Sequence, residues 1–406
     1  MSDANNVGMG DSMPSPHTRV GTDMEPSAQH PRDRTAAQLR TQARSCAAMG
    51  SPLYEVLLDR AADDCAAGGP TWTILSPHVG PGRGDALALR FMAAVHRLVL
   101  ERRAPDLARF YPSVGGTGDV HGAWEVFKGT LAGNVATLTQ DVRRPCQTNE
   151  VGRSAGLMVG FLHVTALTRL PLRLLEVGAS AGLNLRCDHF RIGGGGAVVG
   201  DAGSPVDLSS HWKVPPPHAA DGIVVVDRRG CDRMPVDPTS AQGRLALTAS
   251  VWADQRGRLE RLRGALDLAA RHPAPVDEAS LDTWTAQQLQ AAAPDAATVV
   301  FHSVVSEYLP DDVREGFVDT LQSVGERATP DRPLAWVRLE PISALRHHGV
   351  LMTLWPAGDT VTLARCGAHG TDVEWVGPAT GAAPGRGRTR GGHGAAAEGD
   401  NGTGGG

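Results

Sequence analysis

A short glycine-rich stretch at residues 172–185 carries the residue types best suited to chemistry. It reads Leu-Arg-Leu-Leu-Glu-Val-Gly-Ala-Ser-Ala-Gly-Leu-Asn-Leu, an apolar run that reaches Glu176 and then turns through Gly178, Ser180 and Gly182. The pattern predicts a buried strand, a tight turn and a helix start, where backbone N–H groups meet a ligand at the positive end of the helix dipole. The same letters spell G-x-S-x-G, the nucleophile elbow of serine hydrolases. The stretch is therefore either a cofactor turn or a nucleophile turn.

Two later strand ends carry candidate site residues. An apolar run ends in Asp227, and a second run, residues 298–305, contains His302. Ligands of open parallel sheets bind at the carboxyl ends of the strands, where an acid can hold both hydroxyls of a ribose. We expect Asp227 to be that acid, with Asp201 as the alternative, and Glu176 to face an ammonium group. His302 is a candidate general base, because the pKa of imidazole lies near physiological pH.

A polar loop precedes the glycine-rich stretch. It contains Gln147, Asn149, Glu150 and Arg153 within a few residues. We expect this loop to lie over the ligand end of the sheet and to contribute to binding. The alternative is an ordinary solvated loop.

The elements that position these residues indicate an α/β fold. Residues 35–144 show apolar spacings of three and four, which predict helices. Strand and helix patterns then alternate, including a long amphipathic helix at residues 241–270, and residues 350–376 read as a closing hairpin. We predict a doubly wound, mostly parallel sheet with a C-terminal antiparallel hairpin, preceded by a helical region.

The domain organisation follows from composition. Residues 1–34 are polar and are predicted to be a disordered tail, and residues 35–146 to be a helical cap region. Residues 147–377 form the predicted Rossmann-like domain. Residues 378–406 are rich in Gly and Arg and are predicted to be a second disordered tail, with an RNA-binding Arg-Gly tract as the alternative.

Bulk composition limits the classes of function. The chain has 406 residues, 41% of them hydrophobic and 20% charged, with a formal net charge of -5. No broad basic face for nucleic acid is expected, and no long apolar run predicts a membrane span. The six cysteines form no C-x-x-C pair, so we expect reduced thiols, no metal site and a soluble cytoplasmic protein. The expected partner is a small-molecule substrate, and the sequence indicates no oligomeric state.

Leu-Glu-Val-Gly-Ala-Ser-Ala-Gly, residues 175–182, resembles the first motif of class I S-adenosylmethionine-dependent methyltransferases. That motif is an apolar strand, an acid and Gly-x-Gly-x-Gly, and Ser180 stands at its middle glycine. The closing hairpin resembles the antiparallel seventh strand of that fold. The resemblance implies S-adenosylmethionine as cofactor. The residues that it and the polar loop suggest for cofactor binding are Glu176, Gly178, Ser180, Gly182, Asn184, Asp227, Asn149, Glu150 and Arg153.

Residues 50–377 resemble an uncharacterised bacterial family. The segments that carry this resemblance are 111–116, 147–155, 174–185, 227–232, 300–305 and 339–341. It implies a methyltransferase-like fold without an established reaction. Two alternatives stay open: a non-catalytic protein that binds a ligand or acts as a scaffold, and a serine hydrolase that uses Ser180. The hydrolase would need a downstream acid and histidine, with candidates Asp311, Asp312, His347, His348 and His369.

Overall fold

The computed structural model describes residues 30–80, 86–291, 293, 295–342 and 347–378. Most of the two predicted tails, residues 1–34 and 378–406, therefore lies outside the described residues. The first helix begins at Pro31, so the N-terminal boundary predicted at residue 34 is too late. Proline suits this position because its fixed φ matches the first helical turn, where no N–H is needed.

The N-terminal part of the chain folds as helices. Their bounds are α1 Pro31–Ala48, α2 Pro52–Ala66, α3 Pro70–Leu75, α4 Leu87–Leu100, α5 Pro105–Ala108, α6 Ala123–Gly133 and α7 Val135–Asp141. Leu57, Phe91 and Phe127 are fully buried in their common core. The 3₁₀ turns Ser76–His78 and Pro112–Val114 connect helices in this region.

The remaining helices and the strands alternate along the chain. The helices are α8 Ser154–Thr168, α9 Ala241–Ser250, α10 Arg256–Arg271, α11 Leu281–Gln290 and α12 Asp311–Gly325. The strands are β1 Leu172–Val177, β2 Arg191–Gly194, β3 Ala197–Gly200, β4 Asp207–Leu208, β5 Trp212–Val214, β6 Val225–Asp232, β7 Val276–Glu278, β8 Ala297–Ser303, β9 Leu334–Pro341, β10 His348–Trp355, β11 Asp359–Cys366 and β12 Val373–Trp375. Further 3₁₀ turns are Val151–Arg153, Leu183–His189, Ala219–Asp221 and Ser306–Tyr308.

Nine strands form one mixed sheet in the order β5-β12-β11-β10-β9-β8-β1-β6-β7. The run from β9 to β7 is parallel throughout. β10 pairs antiparallel with both β9 and β11, and β12 pairs antiparallel with β11. The prediction of a mostly parallel α/β sheet that closes with antiparallel strands is confirmed at this level.

The parallel strands reverse their order between β1 and β8. From β1 the chain proceeds to β6 and β7 on one side, and then crosses to β8 and β9 on the other. Helices cover both faces of the sheet, and alternate residues of β1 accordingly point into two different cores. Leu174 packs in the core that contains residues of α8 and α10, whereas Leu175 packs with residues of α11 and α12. Such a reversal leaves a crevice at the carboxyl ends of the strands.

The predicted strand that ends at Asp227 is wrong in its bounds. β6 runs from Val225 to Asp232, so Asp227 lies near its amino end. The apolar letters before Asp227 suggested a buried strand, but Val224 and Val226 are 64% and 58% exposed. β7 pairs with β6 only from Gly230 onward, which leaves the first half of β6 as an edge where charged side chains are tolerated.

The predicted helix at residues 241–270 is two helices. α9 ends at Ser250 and α10 begins at Arg256. Asp254, in the break, accepts hydrogen bonds from Ser51 Oγ at 2.6 Å and from the N–H of Leu53 at 3.0 Å. Trp252 lies beside Tyr54, with 6.1 Å between ring centroids. The break thus attaches the helical region to the sheet domain.

Residues between β1 and β6 form an insertion. β2, β3 and β4 make a small three-stranded sheet. β5 joins the far edge of the main sheet beside β12. None of the described helices is both long and apolar enough to cross a membrane.

Candidate functional site

The turn after β1 is tight and requires small residues. Gly178, Ser180 and Gly182 have φ of 66°, 53° and 64°, the left-handed region. A Cβ at Gly178 would lie 2.6 Å from Val305 Cγ2, so glycine is needed there for space as well as conformation. Of these three turn residues Ser180 is the one that is not glycine. A left-handed conformation is unfavourable for serine, so the backbone of the turn is constrained at this residue.

The helix expected after this turn is only a seven-residue 3₁₀ helix, Leu183–His189, with non-helical angles at Arg186. The chain enters β2 directly afterwards, so no long helix can form. The prediction that a helix dipole meets a ligand at this turn is therefore wrong.

Ser180 joins the turn to two neighbouring segments. Its backbone N–H donates to Asp232 Oδ2 at 2.8 Å, and its Oγ donates to Gln147 Oε1 at 2.6 Å. A carboxamide cannot serve as a base, and no histidine within the described residues accepts a hydrogen bond from Ser180 Oγ. Ser180 therefore lacks the partner that activates a serine nucleophile.

Asp232 is the acid at the carboxyl end of β6, and the sequence analysis missed it. It accepts the N–H of Met234 at 2.9 Å in addition to that of Ser180, and each carboxylate oxygen retains a lone pair for another donor. Asp227, predicted for this role, instead pairs with Arg173 at 3.1 Å near the amino end of the strand. Asp201, the alternative, accepts the N–H of Gly203 in an exposed turn. Gly230, two positions before Asp232, packs against Ala179 of the turn. A Cβ at Gly230 would lie 2.8 Å from Ala179 Cβ, so glycine is needed there for space.

A cavity of about 740 Å³ opens at the turn. Its wall includes Gly178 and Ser180 from the turn, Asp232 from β6, Ser280 before α11, and Tyr308 after β8. Cys146, Gln147, Thr148 and Arg153 line another part of it, together with Leu89 and Arg90 of α4. The helical region and the sheet therefore enclose the cavity jointly.

The polar loop does lie at this end of the sheet. Gln147 contacts Ser180 and also donates from Nε2 to the carbonyl of Met234 at 3.0 Å. Asn149 Oδ1 accepts the N–H of Leu183 at 2.9 Å, directly after the turn. Gln147 and Arg153 line the cavity, whereas Asn149 and Glu150 are not among its lining residues.

Glu150 forms a buried ion pair. Both Glu150 and Arg258 are 5% exposed, and Glu150 Oε2 accepts from Arg258 Nε at 2.7 Å and Nη2 at 2.6 Å. Burial raises the pKa of Glu150, but Arg258 and other nearby cations overcome this and hold the pKa at about 2. Glu150 thus anchors the loop to α10 and has no role at the cavity wall.

Glu176 and Asn184 lie in the interior near the turn. Glu176 is 2% exposed and Asn184 1% exposed, and neither is among the residues that line the cavity. Asn184 lies close enough to the Glu176 carboxyl to lower its pKa, and it accepts from Ser154 Oγ at 2.8 Å. Burial raises the pKa of Glu176 to about 8, with Asn184 and Arg186 acting in the opposite direction. The structure does not place Glu176 where it could face an ammonium group in the cavity.

His302 lies apart from the main cavity. Its Nδ1–H donates to Glu340 Oε1 at 2.7 Å, and its Nε2 accepts from Trp336 Nε1 at 3.0 Å. Both ring nitrogens are therefore engaged, so the predicted general base has no free nitrogen. His302 contributes instead to a second cavity of about 270 Å³, which shares Leu281, Val305 and Leu309 with the first.

Two features at the carboxyl end of β8 carry no sequence signal of their own. Val304 has a φ of 56°, which is unfavourable for a β-branched residue. Arg153 holds this segment through the Ser303 carbonyl, at 3.2 Å from Nη1.

The described part of the chain contains no group of three or more His, Cys, Asp or Glu residues arranged to hold a metal ion.

The fold and the cavity together define a class: a doubly wound α/β protein with a cavity, lined by apolar and charged side chains, at the point where the strand order reverses. The chain belongs to the bacterial family described as "Uncharacterized protein conserved in bacteria (DUF2332)", which matches residues 36–375. No curated protein and no solved structure matches the chain.

Proposed function

We propose that this protein is an S-adenosylmethionine-dependent methyltransferase that acts on a small molecule. The hydrogen bond of 2.8 Å between the Ser180 N–H and Asp232 carries the proposal. It connects a left-handed glycine-rich turn with an acid that ends the adjacent strand. Turn, acid and strand-order reversal are the parts with which α/β sheets hold a nucleoside.

The residues around the cavity suit such a cofactor. Gly178 contributes its backbone to the cavity lining and places no side chain there. Asp232 can accept from ribose hydroxyls with its remaining lone pairs. Ser180 is compatible with binding because its Oγ is directed to Gln147.

When bound, the cofactor would supply an electrophilic methyl group on its sulfonium. The chain would contribute orientation and exclusion of water. Tyr308 stays protonated at neutral pH, since partial burial and the adjacent Glu307 raise the pKa of its phenol to about 12. His302 is not assigned as the base, because its nitrogens already bind Glu340 and Trp336.

Isothermal titration tests the proposal with S-adenosylmethionine and with S-adenosylhomocysteine. We expect micromolar binding of at least one of them. Gly178→Arg should abolish that binding, because any side chain at this position collides with Val305. Gly129→Arg is the matched control: Gly129 is exposed in α6, and a Cβ there meets nothing within 4 Å.

No heat and no thermal shift with either ligand would overturn the proposal. The alternative of a ligand-binding or scaffold protein without methyl transfer would then gain support. Equal binding by wild type and Gly178→Arg would show that the ligand occupies some other site.

A further inference from the structure

The main cavity has a cationic wall. Its described lining contains four arginines, Arg90, Arg143, Arg153 and Arg233, and a single carboxylate, Asp232. Arg143, Arg153 and Arg233 make no ion pair with any carboxylate of the described residues. Asp232 already accepts two backbone N–H groups. The cavity therefore presents more positive than negative charge to a ligand.

Arg153 is the most informative of these residues. It is half-buried, and its Nε and Nη1 donate to the carbonyls of Ala368 and Ser303 at 3.0 and 3.2 Å. Two neutral carbonyls orient the guanidinium but do not neutralise it. Glu150 and Glu340 act on Arg153 electrostatically, yet their carboxylates are bound to Arg258 and to His302. A partly desolvated cation without a directly paired carboxylate is costly, so an anion from a ligand would stabilise it.

The neighbourhood of Arg153 favours an anionic group as the ligand. The exposed Arg143 and Arg233 lie on the same cavity lining, where they add long-range attraction. Tyr308, also on the lining, lies close enough to Arg153 for the guanidinium to lower the pKa of its phenol. Guanidinium and phenol donors together suit the oxygens of a carboxylate or a phosphate.

We propose that the cavity binds, beside the cofactor, a small acceptor that carries a carboxylate or phosphate group paired with Arg153. This inference rests on the proposed function in one respect, namely that the anionic molecule is the methyl acceptor. The anionic group serves for binding and orientation. Arg153 is accordingly a specificity-determining residue for the acceptor.

The test compares three small aromatic probes of similar size: benzoate, phenyl phosphate and benzylamine. Ligand-observed NMR titration at low salt measures their affinity for the full chain, with and without S-adenosylhomocysteine. Benzoate or phenyl phosphate should bind about tenfold or more tightly than benzylamine, the factor that one hydrogen bond to a charged group commonly provides. The stronger of the two anions identifies the acceptor chemistry.

Variants assign the effect to the arginines. Arg153→Gln should weaken anion binding by about tenfold, and Arg153→Lys should restore part of it. Arg153→Gln also removes two hydrogen bonds, so the exposed pair Arg143→Gln with Arg233→Gln supplies a variant with little risk to folding. We expect this pair to weaken anion binding about two- to threefold at low salt. Arg60→Gln, exposed on α2, is the matched control and should change nothing.

Each outcome separates this inference from the proposed function. If S-adenosylhomocysteine binds but the anions bind no better than benzylamine, the anionic acceptor is wrong and the methyltransferase proposal stands. If the anions bind through Arg153 but S-adenosylhomocysteine does not bind, the anion site stands and the methyltransferase proposal is wrong. If Arg153→Gln weakens S-adenosylhomocysteine and leaves benzoate unchanged, Arg153 serves the cofactor, which also overturns the inference.

Discussion

Replacing Glu176 with Gln should stabilise the protein at alkaline pH. Glu176 is 2% exposed and its Oε2 has no hydrogen-bond partner among the described residues. Burial raises its pKa from 4.5 to about 8. The folded protein therefore keeps a proton that the unfolded chain releases above its ordinary pKa.

The sign and the magnitude follow from this shift. Between pH 4.5 and about 8 the folded state binds more protons than the unfolded state, so stability falls as pH rises and is level above that range. A shift of this size corresponds to about 5 kcal/mol at most, because water that enters the site would lower the cost of the charge. Glu176→Gln removes the titration and keeps the shape of the side chain. The free energy of unfolding of Glu176→Gln should be similar to that of wild type at pH 5 and higher by a few kcal/mol at pH 9.

Urea denaturation of both proteins at a series of pH values measures this difference. Glu315→Gln, at an exposed position of α12, controls for a general loss of one carboxyl. If the free energies of unfolding of wild type and Glu176→Gln show the same pH dependence from pH 5 to 9, the reasoning is refuted. Glu176 would then be ionised and paired in the folded protein. A loss of S-adenosylhomocysteine affinity in Glu176→Gln at constant fold would restore a role at the ligand.

Three further predictions concern stability. Glu150→Gln should lower the free energy of unfolding at neutral pH by about 3–5 kcal/mol, because it leaves Arg258 buried without a counter-charge. Urea titration should also show this difference shrinking as pH falls from 4.5 toward 2, because in that range the unfolded wild-type chain takes up a proton at Glu150 that the folded protein, with a pKa of about 2 at this residue, does not. Burial lowers the pKa of His96 from 6.5 to about 4, so folding stability should fall as pH decreases through that range, by up to about 3 kcal/mol. His96→Gln should flatten this part of the stability profile, and an unchanged profile would contradict the assignment. Asp254→Ala should lower the midpoint of thermal unfolding and cost about 1–2 kcal/mol, since it removes the cap of α2; an unchanged midpoint would show that the contact adds no stability.

The sequence predicted the turn well because its signals are local. An apolar run followed by alternating small residues fixes a strand and a turn, and both follow from neighbouring letters. The bounds of β6 were wrong because only pairing with short β7 decides which of its residues are edge residues. Asp232 was missed for the same reason. Its clue was the small Gly230 two residues earlier, which allows close approach of the turn.

The environment of His302 was not predictable from nearby residues. Glu340 and Trp336 belong to β9, which pairs with β8 in a register that brings all three together. The break between α9 and α10 similarly depends on a distant partner, because Asp254 is held by Ser51 and Leu53. Local periodicity continued through this break, so a single helix was the natural prediction.

The position of β5 has a consequence for folding during synthesis. β5 pairs with β12, and strands β6 to β11 lie between these two partners in the chain. On a ribosome, β5 emerges long before its partner exists and must wait with an unpaired edge. The last step of sheet assembly is therefore expected only after β12 has left the exit tunnel, and such late, long-range pairing slows folding. Nascent-chain proteolysis at successive lengths should detect full protection of the insertion only once β12 has emerged.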